Sequence, residues 1–124
     1  MASQTLPFQT IDNPQMPGVK DVEPQVLWDN RQTVAIIDVR RPDEFTAELG
    51  HIPGAELIVL DTLPQRLVDI SKDKPVVFIC RSGGRSARAV EFAMSEGWTN
   101  VFNLRGGMML WNELGLQVEG RNEN

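Results

Sequence analysis

The sequence predicts an α/β sandwich, with a mostly parallel central sheet flanked by helices. Three observations carry this expectation. Two uninterrupted, β-branched apolar runs, TVAIIDV at 33–39 and KPVVFIC at 74–80, read as strands buried on both faces, the pattern of a parallel sheet. A segment with apolar residues at helical spacing follows the second run. Strand-like and helix-like segments alternate along the chain, as crossover connections require.

The elements follow in order. Residues 1–18 hold Pro7, Pro14, Pro17 and Gly18 and few apolar side chains, so an N-terminal extension is expected there, poorly ordered or lying on the surface. The domain is placed at 19–118, with a C-terminal tail at 119–124. In VEPQVLWDN, Pro24 takes a first helical position ahead of Val26, Leu27 and Asn30. After the strand at 33–39, RRPDEFTAEL opens a short helix at Pro42, with Asp43, Glu44 and Glu48 as its solvated acids. GHIPGA at 50–55 is a loop, ELIVL a short strand, and DTLPQRLVDI a helix capped by Asp61 or Thr62. SARAVEFAMSEG at 86–97 is the clearest helix, with Ser86 as N-cap, Ala89, Val90, Ala93 and Met94 as its apolar face and Gly97 just past its end. NVFNL is a further strand, and GMMLWNELG a short helix that Gly115 closes. Met108, Met109 and Trp111 are expected in the core.

A chain of 124 residues is enough for one domain. The formal net charge of −5 argues against nucleic-acid binding. No apolar window reaches membrane-span length. The start, MASQTLPFQT, has neither a basic nor an apolar leader block. One cysteine excludes an internal disulfide and fits a reducing compartment, so a cytoplasmic protein is expected. One His and one Cys, far apart, give no metal-ligand spacing, and no metal or other cofactor is expected.

That single cysteine, Cys80, ends the second buried strand and is followed by Arg81, Ser82, Gly83, Gly84, Arg85 and Ser86. A loop this short must curl tightly between strand and helix. Gly83 and Gly84 can take positive φ, which lets successive N–H groups point inward as an anion nest. The helix start adds unpaired N–H groups and a positive dipole end. This field favours a thiolate, a ready nucleophile. Arg81, Arg85 and Arg88 crowd the same stretch with no acid between 74 and 90, which suggests a basic mouth for a small anion. The alternative is a small, inert, buried side chain ending a strand.

Taken together, IIDVR (36–40), PDEF (42–45), GHIPGA (50–55), CRSGGRS (80–86) and NLRGGMMLW (103–111) resemble the rhodanese family of sulfurtransferases in its single-domain form, over about residues 20–118. Two departures stand out: four residues separate Phe45 from Gly50, where shorter spacings are common, and Arg41 stands where an acid is frequent. The resemblance implies a rhodanese-like three-layer sandwich. It implies that Cys80 takes the outer sulfur of a donor such as thiosulfate, becomes a persulfide, and yields that sulfur to cyanide, a thiol or a partner protein. Arg81 and Arg85 would hold the leaving sulfite or orient the donor, and amides from Arg81 to Ser86 would cradle the persulfide anion. Asp38 and Arg40 would brace the surrounding loops, and His51 would be structural. Arg105, Gly106 and Gly107 either line the mouth or form an ordinary turn with a surface arginine.

Two other readings compete. Phosphatases and arsenate reductases also place a Cys in an anion loop before a helix. Related phosphatases have five residues between Cys and Arg, whereas four stand between Cys80 and Arg85, a tighter ring suited to one sulfur atom. A non-catalytic interaction module is the second, and the complete loop around Cys80 speaks against it.

Overall fold

The computed structural model describes residues 8–121; residues 1–7 and 122–124, parts of the expected extension and tail, lie outside the described residues. The elements are β1 (Ile11–Asp12), β2 (Lys20–Val22), α1 (Pro24–Asn30), β3 (Ala35–Asp38), α2 (Pro42–Phe45), β4 (Glu56–Leu57), α3 (Leu63–Arg66), β5 (Val76–Ile79), α4 (Gly84–Ser95), β6 (Val101–Leu104) and α5 (Gly107–Glu113). One six-stranded sheet runs β1-β2-β6-β5-β3-β4, parallel at every pair except β1 with β2.

Side chains alternate across the pleat, so each strand feeds two cores. Ile36, Val77, Ile79, Phe102 and Leu104 meet Leu27, Met108 and Trp111 on one face. Ile37, Val76, Phe78 and Val101 meet Leu63, Leu67, Ala89, Val90 and Ala93 on the other. The result is the three-layer α/β sandwich that the sequence predicts. Every residue of β5 and β6 is buried, which explains their unbroken apolar character. As parallel neighbours the two strands end on the same side of the sheet, where their following loops are held side by side.

Several expectations need correction. Part of the expected extension lies along the edge of the sheet. Ile11–Asp12 pairs with β2, and Phe8 packs edge-on against Phe102 with ring centroids 5.3 Å apart. Asn13 makes this possible: its Oδ1 accepts the amides of Gln15 and Met16, closing the turn that returns the chain to β2. The tail is tied in as well, since His51 and Glu119 form an antiparallel bridge. ELIVL supplies only the two residues of β4. DTLPQRLVDI is α3 between two 3-10 turns, Leu60–Thr62 and Leu67–Asp69. Neither expected cap operates there; Thr62 Oγ1 donates to the Val59 carbonyl instead, at 2.8 Å. Met94 and Met109 are about two-fifths exposed at the edges of their helices, while Met108 and Trp111 are fully buried.

Candidate active site

Cys80 follows β5 at the carboxyl end of the sheet, where α/β folds place their ligands. The loop behind it is shorter than the sequence suggests. Gly83 alone takes a positive φ, 108°, and serves as the N-cap of α4; Gly84 is already helical. Ser86 therefore lies inside the first turn rather than capping it, and its hydroxyl faces inward. The Gly83 amide donates to Cys80 Sγ at 3.1 Å, and Ser86 Oγ stands 3.2 Å from the same sulfur. The first amides of α4 have no intrahelical acceptor, so the positive end of that helix faces the loop. The Gly83 amide and the helix start stabilise negative charge beside Sγ.

The loop is fastened from behind by α5. The amides of Met108 and Met109 donate to the carbonyls of Cys80 and Arg81, both at 2.9 Å. A Cβ on Gly107 would stand 2.5 Å from both of those oxygens, so only glycine permits the approach. Gly107 thus anchors the loop, while Gly106 lines the cavity beside it. Arg105 lines a cavity beside the loop with Ser82, Gly83, Gly84 and Asn103, and its Nε donates to Glu23 at 2.8 Å, the main cause of its raised pKa.

The mouth differs most from expectation. Glu44, read in the sequence as part of a solvated turn, takes the Arg85 guanidinium in two bonds of 2.8 and 2.9 Å. The same carboxylate accepts the Arg41 amide at 3.1 Å. The Arg85 hydrogen bonds, with Arg41 adding to them, outweigh desolvation and hold Glu44 far below the usual carboxylate range, at about 2. Glu44 in turn raises the Arg85 pKa, with the charges of Cys80 and Asp38 acting in the same direction. Asp43 and Glu48 remain exposed, as expected. Arg81 is exposed and makes no ion pair among the described residues.

Asp38 and Arg40 are 0% and 1% exposed. Arg40 grips Asp38 through Nε and a terminal nitrogen, at 2.9 and 2.8 Å, and reaches the Gly50 carbonyl at 2.7 Å. The pair joins the end of β3 to the 50–55 loop. His51 stacks on Phe45 at 3.7 Å, and its Nδ1 lies 2.8 Å from the Phe45 carbonyl. That is a structural placement.

Behind Cys80 runs a buried polar chain that the sequence reading did not identify. Ser86 Oγ meets Asn103 Oδ1 at 2.5 Å, and Asn103 Nδ2 meets Asp21 Oδ1 at 2.9 Å. Asn13 Nδ2 also reaches Asp21 Oδ1, at 3.1 Å. One signal was available: Asn103 interrupts an otherwise apolar strand, and a buried amide needs partners.

Comparison with known proteins accords with this geometry. The profile of the rhodanese-like domain matches residues 23–114. A sulfurtransferase of Allochromatium vinosum is 39% identical over 87 residues, 70% of this chain and 79% of that protein. A thiosulfate sulfurtransferase of Tolumonas auensis, GlpE, is 33% identical over 66% of this chain and 76% of its own length. The crystal structure of a rhodanese-related protein from Thermoplasma volcanium superposes with a TM-score of 0.74 at 31% identity, covering 81% of this chain and 97% of that one. The chain belongs to the rhodanese-like family, whose relatives here include named sulfurtransferases.

Proposed function

We propose that this protein transfers sulfane sulfur through a persulfide on Cys80. The observation that carries the reading is the convergence of the Gly83 amide and the Ser86 hydroxyl on Sγ, at a strand end fastened by α5. In the first half-reaction, the Sγ thiolate attacks the outer sulfur of the donor. With thiosulfate, the S–S bond breaks with its electron pair leaving on sulfite, and the negative charge of Cys80 moves to the new outer sulfur. In the second, cyanide or a thiolate attacks that outer sulfur and Sγ leaves as the thiolate. No other cysteine exists in the chain to resolve the persulfide from within, so the acceptor comes from outside, as a small molecule or a partner protein. We place the reaction in a reducing compartment, the cytoplasm, to suit this single free thiol.

Arg81, exposed and without an ion pair among the described residues, is the cation that would meet an anionic donor. Arg85 is committed to Glu44, so its part is to hold the loop against α2 rather than to carry sulfite. The same commitment disfavours phosphate-ester chemistry, in which a loop arginine must turn to the tetrahedral oxyanion.

Intact mass after incubation with thiosulfate tests the reading. The expected result is a gain of one sulfur atom, removed by cyanide and absent in Cys80→Ser. No gain from thiosulfate or from a low-molecular-weight persulfide, with the fold intact, would sink it and leave a partner-binding module.

A further inference from the structure

The Ser86 hydroxyl has one hydrogen and two neighbours that want it. Its Oγ lies 3.2 Å from Cys80 Sγ and 2.5 Å from Asn103 Oδ1. The contest is settled farther back. Asp21 and Asn103 sit side by side in the β2–β6 register, and Asn103 Nδ2 is 2.9 Å from Asp21 Oδ1. A carboxylate only accepts, so the Asn103 amide must give its NH2 to Asp21 and its carbonyl to Ser86. Asn13, at the turn into β2, secures Asp21 in place. Asp21, Asn103 and Ser86 are 2%, 1% and 0% exposed, so these bonds are shielded from bulk water.

We propose that Asn103, locked in orientation by Asp21, is a positioning residue. Acting through Ser86, it favours the states in which Cys80 Sγ carries no charge. In the thiol, S–H donates to Ser86 Oγ and Ser86 donates to Asn103, and every group is satisfied. In the bare thiolate, Ser86 must turn to Sγ, leaving the buried Asn103 carbonyl without a donor, which is costly. In the persulfide of the proposed reaction, the charge sits on the outer sulfur. Sγ is then a neutral divalent sulfur and a weak acceptor, and the hydroxyl returns to Asn103. The relay thus biases the site toward its sulfur-loaded form. This last step rests on the persulfide reading; the choice between thiol and thiolate does not.

Two substitutions release the hydroxyl by different routes. Asp21→Asn removes the lock, so Asn103 can reverse and donate to Ser86 Oγ. Asn103→Leu removes the competing acceptor while keeping the branched four-atom side-chain shape. The experiment measures alkylation of Cys80 by iodoacetamide at one fixed neutral pH, in each variant and again with Ser86→Ala added. Both single variants are expected to alkylate roughly three- to tenfold faster than the parent, with the gain abolished when Ser86 is absent. With thiosulfate as donor and sulfite added back, they are expected to hold less persulfide at equilibrium. Parent-like alkylation in both variants overturns the proposal. So does an equal gain in the Ser86→Ala background, since a loop that had merely loosened would react faster with or without the hydroxyl. Thermal melts identify a variant that fails to fold, and the other then carries the test. Alkylation needs no sulfur transfer, so failure of the persulfide reading leaves this measurement intact.

Discussion

Glu44 and Arg85, 41 residues apart in sequence, face each other in a two-bonded ion pair that joins α2 to the first turn of α4. The pair changes the character of the mouth. Arg85 is paired with Glu44 and Arg40 with Asp38, whereas Arg81 of the loop makes no ion pair among the described residues. Positive charge in this site is thus structural at two positions and open to solvent at one.

The ion pair sets a pH window. The folded-state pKa of Glu44, about 2, lies below its ordinary value of 4.5. Its stabilisation is therefore complete above 4.5 and is lost as pH falls from there toward about 2. Glu44→Gln is expected to lower stability at neutral pH by about 1–2 kcal/mol. It is also expected to flatten the fall in stability across the acid window. Urea midpoints at neutral pH and at two acid values test this; parallel curves for the two proteins would count against it.

Arg40 presents a sharper case, since both partners are inaccessible. Arg40→Met leaves the Asp38 carboxylate buried without its cation and the Gly50 carbonyl without its donor. The expected cost is about 3–5 kcal/mol. Adding Asp38→Asn removes the stranded charge, and most of that loss should return. Denaturant unfolding of the single and double variants measures the coupling directly. Equal losses in the two would show that Asp38 does not depend on Arg40.

How much of this was legible in the sequence depends on the range of the interaction. The runs at 33–39 and 74–80 are apolar because β3 and β5 are covered on both faces, so strand type and sheet class could be read locally. Cys80 and its loop were legible for the same reason, being contiguous. Ser86 was misread as a cap because one positive φ at Gly83 moves the helix start upstream, and φ is not written in residue identity. β1 escaped notice because two residues, both exposed, carry no periodicity. Glu44–Arg85 and Asp21–Asn103 join residues 41 and 82 apart, and only the sheet order brings them together. A carboxylate in a first helical turn is solvated by default until the fold places a cation opposite it.

The glycines of the site separate cleanly by environment. Gly107 has φ 58°, and an added Cβ would meet the Cys80 and Arg81 carbonyl oxygens at 2.5 Å. Gly107→Ala is expected to cost about 2–4 kcal/mol and to displace the loop. Gly84 is helical, and nothing lies within 4 Å of its Cβ position. Gly84→Ala is expected to be neutral or stabilising by up to about 1 kcal/mol. Thermal denaturation of the two variants side by side tests the distinction, and similar shifts for both would contradict it.

Arg81 supplies the test of how the donor is met. It is exposed and has no ion-pair partner among the described residues, so it can interact with an approaching anion before any bond changes. Such an interaction acts equally on bound donor and transition state, and removing it raises KM while leaving kcat nearly unchanged. Arg81→Ala is therefore expected to raise KM for thiosulfate by about three- to tenfold. The rise should shrink as salt screens the parent's advantage. An uncharged trisulfide donor should show little change. Steady-state kinetics at low and high ionic strength with both donors decide the matter. A fall in kcat with KM unchanged would instead place Arg81 on the leaving group in the transition state. Equal effects on charged and uncharged donors would assign it to loop structure.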